Sequence, residues 1–152
     1  MTEYKNFVKI LKRKIYKNKD NLLFVCIGTN KIMYDSIGPL TGSFLQRKLD
    51  KNMVIGNMEK TFCSRYDFIS NYSKIKDKFI VAIDVALSTK ELMGEIFISE
   101  KPIIMGLSLN KNKGKIGNIG IKIAISNLYN LDKNYIENKA KFISCAILEA
   151  IR

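Results

Sequence analysis

The sequence has no histidine and no tryptophan, and only two prolines and three cysteines in 152 residues. The missing histidine excludes the most. Without it there is no Ser-His-Asp triad, no Cys-His dyad, no His-ligated zinc and no base that titrates near neutrality unaided. Chemistry must fall to carboxylates, lysines, hydroxyls, thiols or the backbone. Cys26, Cys63 and Cys145 are odd in number, widely spaced and without a Cys-x-x-Cys pair. That pattern gives no disulfide framework and suits a reducing cytosol. Cys26 lies inside an apolar run and reads as a small buried hydrophobe. Long apolar runs are also missing: Leu22–Ile27 and Phe79–Ile83 have the length of strands and cannot span a bilayer. The first residues are charged throughout and lack an apolar signal core. The expectation is a soluble, cytoplasmic protein with no membrane partner.

What is present describes a globular chain: 47% hydrophobic and 26% charged residues, at a length that fits a single domain over 1–152. The net charge is +12, unevenly spread. Residues 1–20 carry seven basic and two acidic side chains, 21–100 carry ten and nine, and 101–152 carry nine and three. The flanks hold the excess, which reads as a lysine-rich solvated face lying away from any acidic crevice in the middle. No recognition motif or aromatic interleaving supports nucleic acid as a partner.

Tyr4, Phe7, Val8, Leu11 and Ile15 recur at helical steps with lysines between them, predicting an amphipathic helix that Asn18–Asn21 breaks. LLFVCI (Leu22–Ile27) and FIVAI (Phe79–Ile83) are unbroken apolar runs, as strands buried on both faces of a parallel sheet require. They are expected to be adjacent, parallel and central. Ser36 or its neighbour can cap a helix with Pro39 in its first turn and Leu40, Phe44, Leu45 and Leu49 on its apolar face. Met53–Ile55, Glu95–Ser99 and Ile119–Ile125 read as further strands, and Ser64–Tyr72 as a helix. Asn134 with Glu137 resembles a capping box opening a last helix with Ile136, Ala140, Ile143, Ile147 and Ala150 inward. Strands alternating with amphipathic helices give an α/β fold with helices on both sides of the sheet.

Ligands meet open α/β sheets beyond the carboxyl ends of the strands. Two acids belong there. Asp84 follows FIVAI directly, and Asp35 lies eight residues past LLFVCI, in a loop flanked by Gly28 and Gly38. A strand-end aspartate also serves as a helix cap or turn former. The loop is not a P-loop, since no Gly-Lys-Ser/Thr follows at the required spacing. Its glycines allow tight turning and close backbone approach, and backbone N–H groups ahead of a helix can hold an anion.

The runs CIGT (Cys26–Thr29) and DSIGPLTG (Asp35–Gly42), the AID element (Ala82–Asp84) and the stretch IIMGLSLNKNKGKIGNIGI resemble the YyaC-like sporulation proteins, which are spore protease-like and related to germination protease and the hydrogenase maturation endopeptidases. The resemblance runs from Leu22 to Ile125. It departs at Asn30 and Asn118, where aspartates are usual, and at Tyr34, where glycine is usual. The resemblance implies a three-layer α/β/α sandwich around a mixed, mostly parallel sheet. It matches Asp35 and Asp84 to the aspartate pair of germination protease. The hydrogenase maturation enzymes add a histidine to their metal-binding acids, so that arrangement does not carry over, and no metal or other cofactor is expected.

Two carboxyls in mutual reach cannot both ionise cheaply, so they share a proton; one then activates water and the other protonates the leaving amide. Asp35 and Asp84 are the expected catalytic pair, and Gly28, Thr29, Ser36 and Gly38 the expected substrate-binding residues, with Ser36, Thr29 or a backbone N–H open as oxyanion donor. The expected function is a sporulation-associated endopeptidase acting on a protein or peptide, such as a small spore protein. The alternative is a non-catalytic module of the same fold that holds a spore protein or nucleic acid.

Overall fold

The computed structural model describes residues 3–106, 112–126 and 131–152. Helix α1 (Glu3–Ile15) buries Phe7, Leu11 and Ile15 and turns its lysines outward. A 3₁₀ segment over Tyr16–Asn21, non-helical at Asn18, leads into strand β1 (Leu22–Cys26), all of whose residues are buried. A single 3₁₀ turn (Met33–Ser36) runs into helix α2 (Ile37–Gln46). Strand β2 (Val54–Ile55), helices α3 (Arg65–Ser70) and α4 (Tyr72–Ile75), and strand β3 (Phe79–Leu87) follow. Strand β4 (Ile96–Ser99), a small antiparallel pair β5 (Ile103–Ile104) and β6 (Lys115–Ile116), strand β7 (Ile119–Ile125) and helix α5 (Lys133–Ala150) complete the described order.

The main sheet has the order β2-β1-β3-β7-β4. All neighbours are parallel except β4, which runs antiparallel to β7 at one edge. LLFVCI and FIVAI are therefore adjacent, parallel and interior, as their apolar character requires. Their alternate side chains feed two cores. Leu22, Phe24, Cys26, Val81, Ile83 and Val85 pack under α1, α2 and α5, whereas Leu23, Val25, Ile80 and Ala82 pack with Phe62, Ile75, Ile103, Met105 and Ile116 on the other face. The result is a mixed, mostly parallel sheet in a three-layer α/β arrangement, with three helices on one face and a thinner cover of α3, α4 and the β5–β6 pair on the other.

Several elements differ from the sequence reading, each for a local reason. The strand over Phe79–Ile83 does not close at Asp84; β7 keeps pairing from Val81↔Ile119 to Leu87↔Ile125 and carries β3 four residues further. The helix expected over Ser64–Tyr72 breaks at Asn71, whose side chain donates to the Asp67 carbonyl at 2.8 Å. Its start is a capping box of Ser64 with Asp67. Helix α5 is capped by Asp132, which accepts from the Tyr135 N–H at 2.8 Å, in place of Asn134 with Glu137. Ser36 precedes α2 but its hydroxyl donates to the Met33 carbonyl at 2.6 Å, so it closes the turn and does not cap the helix.

Candidate functional site

Strand β1 ends at Cys26, and Ile27 makes its last bond to the sheet, donating to the Ile83 carbonyl at 2.8 Å. The chain must then leave the sheet and enter α2. Gly28 makes that exit possible. Its φ is +149°, and a Cβ there would collide with the Asp35 carbonyl and touch Pro39. Gly38 does a similar job one turn on, since a Cβ would strike the Ile27 carbonyl. The close approach folds the Asp35 turn back over the end of β1. Asp35 is thereby held, with an exposure of 4%, against the place where β3 continues past its neighbour.

Asp84 occupies that place. Along β3 it continues the row of Ile80 and Ala82, so its carboxyl lies on the thinner face with an exposure of 3%. Both acids line one cleft of about 300 Å³ with Ile27, Gly28, Thr29, Lys31, Cys63 and Lys113. Each carboxylate has a backbone donor: the Thr29 N–H reaches Asp35 Oδ2 at 2.9 Å, and the Val85 N–H reaches Asp84 Oδ1 at 2.8 Å. Burial pushes the Asp84 carboxyl well above the usual carboxylate range, and the Asp35 charge pushes it further. The Val85 N–H and the Lys122 ammonium pull the other way and do not overcome burial. Lys122 faces Asp84 from the paired position on β7. At the cleft wall, Lys113 Nζ donates to the Cys63 carbonyl at 3.0 Å.

The sequence reading brought Asp35 and Asp84 to one crevice, and the fold does so. Gly28 and Thr29 line it. Gly38 is buried and serves the packing of α2, and Ser36 lines a separate groove of about 390 Å³ with Met33, Leu40, Met58 and Ile136. Basic charge is not kept away from the cleft, since Lys31 from the middle of the chain and Lys113 from its C-terminal third border it. The departures at Asn30 and Asn118 have structural duties: Asn30 donates to the Met58 carbonyl at 2.8 Å, and Asn118 Oδ1 accepts the Ile80 N–H at 2.8 Å. A nickel site of acids plus histidine does not fit. The chain has no histidine, and among the described residues no three His, Cys, Asp or Glu side chains gather around one point.

Residues 1–148 match the family described as "Protein of unknown function (DUF1256)". The chain belongs to the DUF1256 family. It is 30% identical over 104 residues to the uncharacterized protein YyaC of Bacillus subtilis (strain 168), covering 66% of this chain and 51% of that protein. It thus spans about half the length of this curated relative. Among solved structures, it resembles the [NiFe] hydrogenase maturation protease HycI of Thermococcus kodakarensis KOD1, with a TM-score of 0.67 at 14% identity over 93% of this chain and 98% of that one. An uncharacterized protein from Wolinella succinogenes gives a TM-score of 0.53 at 14% identity, over 85% of this chain and 95% of that one. At such identities the likeness is one of fold alone.

In this DUF1256 chain the sequence reading missed Lys122 and Lys113 as neighbours of the acids. A signal for Lys122 existed. FIVAIDVAL and IGIKIAI are each interrupted by one charge, of opposite sign, and pairing the two strands sets those charges side by side. Lys113 lies two residues before β6, and no local pattern marks it as a neighbour of the acids.

Proposed function

We propose that this protein is a protease-like hydrolase of the paired-aspartate type, acting on a peptide bond brought to Asp35 and Asp84. The observation that carries the reading is the unequal environment of two carboxyls in one cleft. Burial and its neighbour's charge favour the neutral form of Asp84, which assigns it the proton-bearing role. Asp35, with Thr29 N–H on one oxygen, is the member that takes a proton from water. The water oxygen bonds to the amide carbon, Asp84 gives its proton to the departing nitrogen, and Asp35 keeps the proton taken from water. The products are one new carboxyl and one new amine. Lys31 and Lys113 at the cleft supply positive charge near the developing oxyanion.

The finer reading is that the substrate is a small spore protein and the setting is sporulation. The YyaC-like resemblance supports it, together with the 30% identity to YyaC over 104 residues. The test is incubation of the purified protein with a small acid-soluble spore protein, with products read by mass spectrometry. A discrete cleavage that Asp35→Asn and Asp84→Asn each remove supports the mechanism. Cleavage that survives both substitutions overturns it. The low exposure of both acids favours a second reading, a non-catalytic module that holds its partner at this cleft. Stable binding of the intact spore protein without products would favour that one.

A further inference from the structure

The groove beside the carboxyl cleft has no part in the chemistry derived above. It has a volume of about 390 Å³, and Met33, Leu40, Met58 and Ile136 make its lining mainly apolar. Lys31 borders both spaces, so a single side chain separates the groove from the cleft that holds Asp35 and Asp84. The 3₁₀ turn Met33–Ser36 is the partition: Asp35 lines the cleft, and Met33 and Ser36 line the groove.

The Met58 wall is fixed at both of its backbone groups. Its N–H donates to Ser43 Oγ at 3.0 Å, and its carbonyl accepts from Asn30 Nδ2 at 2.8 Å. The Ser36 hydroxyl is spent on the Met33 carbonyl at 2.6 Å, so it makes no polar demand on an occupant. Lys133 and Glu137 at the rim are paired with each other at 3.9 Å. Exposure then separates the two spaces. Asp35 and Asp84 are 4% and 3% exposed, whereas Met33 is 52% exposed. A peptide gains little contact at the recessed acids themselves and needs an anchor beside them. Binding energy gained away from the reacting bond can draw that bond into place. One large apolar side chain removed from water strengthens binding roughly ten- to a hundredfold. A cavity of about 150 Å³ holds a benzene-sized group, so the groove has room for such a side chain and part of its backbone. Methionine walls adapt to side chains of different shape.

We propose that this groove is the specificity subsite of the protein: it holds a Leu, Met or Phe side chain of the peptide whose scissile bond lies in the cleft. Lys31 sets the spacing. The width of one side chain corresponds to about two extended residues, so the anchor lies within about two residues of the bond that is cut. This rests on the reading of Asp35 and Asp84 as a site for peptide bonds and names the class of sequence that site selects.

The probe is a random decapeptide library incubated with the parent protein, with cleavage sites read by mass spectrometry. Leu, Met and Phe should be enriched together at one fixed position within about two residues of the cut. Replacing that residue by Ala in a cleaved peptide should lower kcat/KM by at least about tenfold, mainly through KM. Met33→Lys places a cation in the groove at an exposed position. It should lose a similar factor toward the Leu peptide and gain activity toward its Glu counterpart, a reversal that an unfolded or merely slower variant cannot give. Asn30→Asp removes the donor to the Met58 carbonyl and should weaken the apolar preference. Binding is followed separately on Asp84→Asn carrying carbon-13 methionine methyls, with peptides taken from the cleaved set or, if none is cut, selected from the library by affinity. The Met33 and Met58 signals, assigned with Met33→Leu and Met58→Leu, should shift with the apolar peptide and stay in place with its Ala counterpart. Cuts with no apolar preference at any fixed position, or a preference that Met33→Lys leaves unmoved, overturn the proposal and leave the hydrolase reading standing. Peptides that shift both methyl signals but are never cut by the parent refute the hydrolase reading and leave the groove as the anchor of a bound peptide. A library that is neither cut nor able to shift either signal overturns both.

Discussion

One strand contains two regions that share a backbone conformation and little else. Phe79–Ile83 of β3 has a strand on either side and apolar layers above and below. Asp84–Leu87 keeps β7 on one side, lacks β1 on the other, and buries a carboxyl whose ionisation its surroundings oppose. The first region contributes stability through close-packed Val and Ile side chains. The second holds a carboxyl whose charged form burial disfavours. Paired apolar packing and a buried carboxyl are thus separated along a single strand by one peptide bond, between Ile83 and Asp84.

The comparison can be broken from either end. The largest effect expected is on turnover: Asp84→Asn or Asp35→Asn should lower kcat/KM by about 10²–10⁴-fold, the usual worth of a positioned acid or base, with an unchanged circular dichroism spectrum. On the other side of the boundary, Ile83→Ala should cost about 2–5 kcal/mol of stability through its cavity, read by urea denaturation. A loss below about 1 kcal/mol would mean that the paired half is not the better packed one.

Next comes a pH effect of defined sign. The folded-state pKa of Asp84 lies above its unfolded value, so between the two the native state holds a proton that the unfolded chain has released. Its contribution is fully present below the unfolded value of about 3.8 and is lost as pH rises through the folded one. Asp84→Asn should therefore be more stable than the parent at neutral pH, because the amide carries no charge that burial opposes. The advantage should vanish near pH 3.5 in paired urea titrations. The smallest effect is on titration alone. Lys122→Met should raise the Asp84 midpoint and Asp35→Asn should lower it, both by carbon-13 carboxyl spectroscopy, because these neighbours act on it in opposite directions.

Legibility in the sequence followed the range of the interactions involved. LLFVCI and FIVAI announced two interior strands because each residue of either run meets an apolar layer. The acids at 35 and 84 were legible for the same reason: each interrupts or follows such a run. What stayed hidden was non-local. Nothing in AIDVAL says that β3 goes on past Asp84, because the cause is β7, whose residue paired with Asp84, Lys122, lies 38 positions later. The roles of Gly28 and Gly38 in bringing Asp35 to β3 depend on carbonyls of Asp35 and Ile27 that only the closed loop places against them. The cap of α5 was misread within reach of the right answer, because Asp132 and Asn134 both offer a side-chain acceptor and only the chain path decides between them.

The sheet order has a consequence for how the molecule is made. Strand β7 lies between β3 and β4, although both precede it in the chain. As the protein leaves the ribosome, residues 22–87 can assemble β1, β2 and β3, but the far side of β3 and all of β4 wait for Ile119–Ile125. A chain halted before that point carries a central strand with an unfilled ladder along Val81–Leu87 and a second strand with no partner in the main sheet. Such unpaired edges are what drive association of incomplete chains. Insertion of β7 is therefore the step that commits the polypeptide to its final topology, and slowing synthesis between codons 100 and 126 should raise the yield of insoluble product more than slowing it anywhere earlier.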